Sequence, residues 1–518
     1  MKLAALAEVS RRLADTPGRR DKVALLSALL GSAPPEEIEL AAGYLCGIVP
    51  QDKLGVGYAS LQAAAGATPA SNAPELELTQ VNERLGRIAA TSGKGSATER
   101  RRLLTELLAH LSADERRFFT GLITGELRQG ALEGLVLEAV AQAAGVPAVD
   151  LRRAVMMAGS LPRVARAALT GGRPALAEYD VQLFRPVLPM LAGSAESAEQ
   201  AVEELGEAAL ELKLDGARVQ IHKRADEVRV YSRRLNEVTA AVPELVETVR
   251  ALAASELIVE GEAIALRPDG SPHPFQTTMS RFGRRLDVAT ARDAVPLTLF
   301  LFDLLYLDGG SLLDEPLHRR SATLIGLAPP ALMVPRTITG SADEARDFLA
   351  GALERGHEGI MAKALDAPYE AGRRGRRWLK VKPVRTLDLV VLAAEWGHGR
   401  RRGWLSNLHL GARDAERGGF VMLGKTFKGL TDEMLAWQTE RLQALATSTE
   451  GHTVYVRPEL VVEVAFNDLQ ASPQYPGGLA LRFARVKGYR PDKAAAEADT
   501  ITTLREIWRR QTGGPPLA

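Results

Sequence analysis

Cysteine is nearly absent from these 518 residues: Cys46 stands alone. A single thiol forms no internal disulfide and cannot furnish a four-cysteine zinc module, so the fold has neither staple available to it. Its apolar, helix-patterned surroundings predict a small core residue. Excess charge is missing too. With 65 basic against 64 acidic side chains the net charge is +1, so the chain as a whole is no basic coat, and any polyanion must be gripped by local patches. Candidates are Arg281 with Arg284-Arg285, the run Arg373 to Arg377, and Arg400-Arg401-Arg402. Taken singly, each reads first as solvated surface. No apolar run is long enough to cross a membrane, and 46% hydrophobic with 25% charged residues is a soluble globular composition. The opening apolar stretch is broken by Glu8 and followed by Arg11-Arg12, which predicts a cytoplasmic protein without a secretory signal.

The length suits about three domains. From Met1 to about Arg173 the apolar spacing is helical. Ser96-Ala-Thr-Glu99 is a capping signal for a helix in which Leu103, Leu104, Leu107, Leu108 and Leu111 share a face. Ser112-Ala-Asp-Glu115 repeats the signal for a helix running toward Arg128, and Ala63 to Pro74 reads as a loop. An all-α region of antiparallel helices is expected. Asp180 to Ala192, containing Pro186-Val-Leu-Pro-Met-Leu, reads as an extended linker.

The stretch richest in chemistry is Glu211-Leu-Lys-Leu-Asp-Gly-Ala-Arg218. Its alternation predicts a strand from Glu211 to Asp215 with Leu212 and Leu214 inward and Glu211, Lys213 and Asp215 on the other face. Gly216-Ala217 breaks the pattern and lets Arg218 turn back to the same site. A free lysine, with a pKa of ~10.4, is almost wholly charged at neutral pH. Burial and a nearby guanidinium favour its neutral, nucleophilic form, and flanking carboxylates oppose that. From these residues alone, a reactive lysine and a charged sheet face remain equally open.

Further along, Leu257 to Ala265 is an apolar strand carrying Glu260 and Glu262, carboxylates that need partners if buried. Val295 to Leu307 is apolar enough for a buried strand and holds Phe302. His357-Glu-Gly-Ile-Met-Ala-Lys363 puts Glu358 and Lys363 at the ends of another strand. In Trp378-Leu-Lys-Val-Lys382, period two places Lys380 and Lys382 on one face, where an anion would relieve their repulsion. Beyond Pro383, strands are expected at Asp388 to Ala394, Phe420 to Gly424, His452 to Arg457 and Leu460 to Phe466. A helical insertion is expected from Asp432 to Leu445, and strands of this number suggest an oligonucleotide-binding barrel.

Lys213-x-Asp215-Gly216-x-Arg218 resembles the signature of the covalent nucleotidyltransferases. With Ser232-Arg233, Glu262, Phe302, Glu358, Lys363, Tyr369-x-x-Gly-x-Arg374, Lys380-Val-Lys382 and Leu481-Arg-Phe-Ala-Arg485 before Asp492-Lys493, it follows the motif order of ATP-dependent DNA ligases. Thr124-Gly-Glu-Leu-Arg128-Gln-Gly130 is similar to a turn in the DNA-binding domain of archaeal and eukaryotic-type members. Ala484 stands where that family usually has proline.

The resemblance implies Lys213 as the nucleophile that takes AMP from ATP, with Asp215 beside it. It implies nucleotide contacts from Glu211, Arg218, Arg233, Glu262, Phe302, Arg374, Lys380 and Lys382, and Mg²⁺ on Glu262 and Glu358. Arg128, Lys363, Arg482, Arg485 and Lys493 are implied to meet phosphate or DNA. The expected organisation is a helical DNA-binding domain over 1–175, a linker over 176–192, an α+β adenylation domain with antiparallel sheets over 193–384, and an OB-fold barrel over 385–518. The implied partners are nicked duplex DNA and replication or repair recruitment factors, with the protein itself a monomer. An NAD-dependent ligase would normally bring the zinc module that one cysteine rules out, and a capping enzyme or RNA ligase would leave the helical third unexplained. A non-catalytic DNA clamp of the same fold would show damage at Lys213, Glu262 or Lys382, and these are intact.

Overall fold

Leucine at helical spacing builds the first third of the chain. The computed structural model describes residues 1–51, 54–72, 76–127, 133–370, 374–398 and 401–512, the side chains of Arg374 and of 510–512 excepted. Helices run from Leu3–Asp15 to Leu161–Ala177 and close on one apolar core that includes Leu6, Leu26, Val81, Leu104, Phe119, Val136 and Val164. The capping box at Ser112 forms: its hydroxyl accepts the Glu115 amide, and Glu115 takes the Ser112 amide at 2.8 Å. That helix, Ala113–Thr124, stops at Gly125 in the left-handed conformation (φ 70°), short of Arg128. Arg128 and Gly130 lie outside the described residues, so the turn expected there has no structural account. Two local expectations fail. The helix Ser96–Ala109 takes Gly95 as its N-cap, placing Ser96 inside the first turn. Residues 63 to 66 are helical, within Tyr58–Gly66, because three alanines outweigh the loop-forming residues that follow them.

The middle of the chain holds two five-stranded sheets. The first contains β1 (Leu191–Ala195), β2 (Ala208–Lys213), β8 (Arg336–Thr339), β9 (Gly359–Ala364) and β10 (Arg374–Val381) in the order β1-β10-β9-β2-β8. The β1-β10 pair is parallel and the others antiparallel. The second is antiparallel: β3 (Ala217–Arg224), β4 (Glu227–Ser232), β5 (Glu256–Ala265), β6 (Leu297–Leu307) and β7 (Gly310–Ser311), ordered β4-β3-β5-β6-β7. The expected strand through Asp215 ends at Lys213, because the chain crosses from one sheet to the other over 214 to 216. β6 is not buried on both faces. Leu297, Leu299 and Leu301 enter the core behind the second sheet, while Phe300 and Phe302 face the space between the sheets.

The C-terminal region is strand-rich: β11 (Arg385–Trp396), β12 (Leu405–Arg413), β13 (Phe420–Thr426), β14 (Ala446–Glu450), β15 (Thr453–Val456), β16 (Val461–Phe466) and β19 (Arg485–Tyr489) share a sheet. β17 (Asp468–Ala471) and β18 (Leu479–Arg482) make a separate hairpin, and the helix Asp432–Ala444 lies between β13 and β14. Among the described residues no helix is long and apolar enough to cross a membrane.

Candidate active site

Two glycines set the geometry around Lys213. A Cβ on Gly216 would fall 2.4 Å from the Ala263 carbonyl oxygen and 3.0 Å from Glu262 Cγ, so only glycine lets the crossover lie against β5. Its amide then donates to the Glu262 carboxylate. At Gly359 (φ 147°) a Cβ would meet the Val381 carbonyl oxygen at 2.2 Å, and this close passage brings Glu358 beneath the end of β10. The Glu358 carboxylate bridges the ammonium groups of Lys213 and Lys382, and its amide donates to the Lys213 carbonyl at 3.2 Å.

Burial is the largest influence on these charges. It lowers the Lys213 pKa from the usual lysine value, with Arg482 and Arg233 acting the same way and Glu262 and Asp215 opposing. Burial lifts Glu262 to about 7 against the pull of Lys213 and Arg218, and lowers Lys382 to about 8 with help from the Lys213 charge.

A second group lies deeper between the sheets. Lys363 is 2% exposed. Its Nζ lies 2.5 Å from Glu211, 4.5 Å from the Phe302 ring centre and 4.3 Å from that of Trp378. The charge expected to meet phosphate is therefore committed to Glu211, which also faces Arg336 at 3.4 Å. Arg218 does turn back: its guanidinium is 5.3 Å from the Phe302 ring centre and 2.6 Å from Glu260. Glu260 is the partner that the buried-carboxylate argument required, and Glu262 is left facing Lys213. Lys380 follows the buried Trp378 by two positions on β10, which places both on one face of the strand.

The C-terminal region reaches this site through Arg482, with Asp468 close by. Arg482, at the end of β18, bonds Asp215 at 2.6 Å and lies 3.7 Å over the ring of Phe275. A cleft of ≈ 840 Å³ opens beside this contact, lined by Asp215, Glu358 and Lys382 on one side and Asp468 and Arg482 on the other. Arg485 is exposed, and Lys493 is spent on Asp388 at 2.5 Å within its own region, beside Arg490. Neither is gathered at Lys213. Arg233 is exposed but close enough to influence it. The Arg374 side chain is outside the described residues. Of the surface patches, Arg281 is buried against Glu244 at 2.6 Å, Arg376 pairs with Glu204 and Arg377 with Asp366.

Sequence reasoning missed Phe275 and gave no role to Gln220 or Tyr369. Tyr369 sat inside a recognised motif, which was the available signal, whereas nothing local distinguishes Phe275.

The helical region, the lysine set between two sheets and the strand-rich region bearing Arg482 follow the architecture of the ligases that work through a nucleotide. Three family models match in chain order: "DNA ligase N terminus" over 59–141, "ATP dependent DNA ligase domain" over 189–382 and "ATP dependent DNA ligase C terminal region" over 401–493. The chain belongs to the ATP-dependent DNA ligase family. It is 59% identical over 512 residues to a "Probable DNA ligase" of Anaeromyxobacter sp. (strain Fw109-5), covering 99% of each chain. With the "Probable DNA ligase" of Sorangium cellulosum (strain So ce56) it shares 53% over 502 residues, 97% of this chain and 94% of the other. The solved structure titled "Pmar-Lig_PreS3" has the same fold, at TM-score 0.62 and 18% identity, over 94% of this chain and 99% of that one.

Proposed function

We propose that Lys213 carries AMP during nick sealing. As a neutral amine its Nζ attacks the α-phosphorus of ATP; an N–P bond forms, the bond to the β-phosphate bridging oxygen breaks, pyrophosphate leaves and the amine sheds a proton. AMP then passes to the 5′-phosphate at a nick, and the 3′-hydroxyl displaces it. Phe302 offers a flat face to the adenine, with Glu211 and Arg218 around it, and Arg233 borders the sugar. Asp215 steadies the lysine strand. Arg374, Lys380, Lys382 and Arg482 meet the phosphates, and developing charge on the phosphoryl oxygens is stabilised by these cations. Arg128, Lys363, Arg485 and Lys493 are assigned to phosphate or DNA.

Glu262 and Glu358 are a fit for Mg²⁺, which takes one or two carboxylates and completes its shell with phosphate oxygens and water. Glu358 already draws two ammonium groups, and Glu262 is a desolvated carboxylate facing the same space. Bound there with ATP, the ion would supply charge neutralisation at the phosphates. The domains assigned are 1–175 for DNA binding, 176–192 as linker, 193–384 for adenylation and 385–518 as an OB-fold. Together they would wrap nicked duplex DNA as a monomer in the cytoplasm, with recruitment by replication or repair factors.

The observation that carries this reading is a lysine whose pKa burial lowers, held between Glu358 and Glu262 at the junction of two sheets. Incubation with α-labelled ATP and Mg²⁺ tests it. Acid-labile label must appear on the protein and vanish in Lys213→Ala; label surviving that change, or none in the parent, refutes it.

A further inference from the structure

Between the helical region and the first sheet the chain is held largely by side chains, with a backbone bond from Leu188 to Met156 beside them. Gln220 grips Val187 twice, accepting its amide at 2.8 Å and donating to its carbonyl at 3.2 Å. His222 Nδ1 accepts the Phe184 amide at 2.9 Å, which leaves Nε2–H to donate to Gln220 Oε1 at 3.0 Å. Met190 is gripped through both of its backbone polar groups: its amide donates to the Tyr369 hydroxyl at 2.9 Å, and its carbonyl accepts from Arg218 Nη1 at 2.7 Å. The same hydroxyl donates to Glu260 Oε2 at 2.9 Å and lies 3.4 Å from Arg218 Nη2. Gln220, Glu260 and Tyr369 are all buried, at 3%, 1% and 3% exposure. In such surroundings every member of a polar network fixes its neighbours, because an orphaned group finds no water.

The far end of this network is Arg218, the guanidinium beside Phe302. We infer that Tyr369 is a positioning residue for nucleotide binding: its hydroxyl locks Arg218 beside the adenine pocket and, through Met190, makes that placement depend on the segment arriving from the helical region. Moving the segment away removes the carbonyl that Arg218 bonds and the amide that orients the hydroxyl. The ring itself packs edge-on to Trp378 at 6.2 Å, so phenylalanine keeps the packing and deletes only the hydroxyl. The inference rests on the reading of Arg218 as a nucleotide contact, and deepens it.

The test is Tyr369→Phe, measured as lysine adenylylation against ATP concentration. Loss of the hydroxyl raises the KM for ATP roughly tenfold, the worth of one hydrogen bond to a charged group. The maximal adenylylation rate and the sealing of a pre-adenylated nick stay within about twofold of the parent. Hydrogen exchange at the Met190 amide accelerates at least about tenfold. An unchanged KM overturns the inference, with or without faster exchange, since the hydroxyl would then only anchor the chain. Should Tyr369→Phe fold poorly, Gln220→Met releases Val187 and must raise the KM as well; a KM within about twofold of the parent in that variant overturns it too. Arg218→Ala separates the two layers. If it leaves the KM unchanged, the underlying reading of Arg218 fails. If it raises the KM while Tyr369→Phe does not, only the positioning role fails.

Discussion

Replacing Gly216 by alanine puts a methyl group where the fold has no room. Its φ lies outside the left-handed range that penalises alanine, so the effect comes from space. The added carbon would lie 2.4 Å from the Ala263 carbonyl oxygen, against 3.4 Å for ordinary contact, and that atom belongs to a central strand that cannot swing aside. The crossover after Lys213 must therefore retreat by about 1 Å, stretching the bond from its amide to Glu262 as it goes. Overpacking of this kind costs roughly 1–3 kcal/mol of stability, which leaves the protein folded. A reacting group displaced by about 1 Å loses on the order of 10²-fold in rate, or about 2.7 kcal/mol of barrier. Single-turnover transfer of label from α-labelled ATP to the protein at saturating ATP reads this directly, with the melting temperature as a control for folding. Adenylylation within about threefold of the parent in a normally folded Gly216→Ala protein would refute the claim that the glycine places the lysine.

Arg482→Ala breaks the bond to Asp215 and the stack on Phe275, and should slow adenylylation by at least about tenfold while sparing the sealing of pre-adenylated nicks; equal loss in both assays would remove the arginine from the nucleotide step. Only the neutral Lys213 amine attacks, and burial lowers its pKa, so the maximal rate of adenylylation should climb as pH rises from 6 toward that pKa. Lys382 loses its charge through about 8, so the KM for ATP should climb above that pH and kcat/KM should pass through a maximum; a maximal rate that falls between pH 6 and 8 contradicts this. Asp303 and Arg320 form an ion pair with neither side chain exposed, joined at 2.7 Å and 2.9 Å. Arg320→Met leaves the carboxylate stranded, and urea unfolding should show a loss of about 3–5 kcal/mol, part of it recovered by Asp303→Leu in the same chain. No loss in the single variant would mean that water reaches Asp303.

Where one periodicity governed a stretch, the sequence reading survived. The leucines of the helical third and the apolar strands β11, β13, β15 and β16 emerged close to their expected places, while β2 begins three residues early and stops short of Asp215. β12 did not, because Asn407 and His409 interrupt its leucines. Both are satisfied by Glu395, a partner 12 and 14 residues away that no local window reveals. The site divides in the same way. Glycine at 216 and the acids at 262 and 358 announced themselves through motif spacing. Which carboxylate each cation would choose depended on three-dimensional proximity: Arg218 took Glu260, Lys363 took Glu211, and Lys493 took Asp388 in its own region. Arg281 shows the limit most plainly, since a basic run on paper became a buried tie to Glu244.

The arginine at the end of β18 bonds Asp215, two places past Lys213, so a residue from the last third of the chain holds the crossover in the middle. The bond joins two stretches 267 residues apart in sequence, so a shift of the last third of the chain is felt directly at the carboxylate beside Lys213.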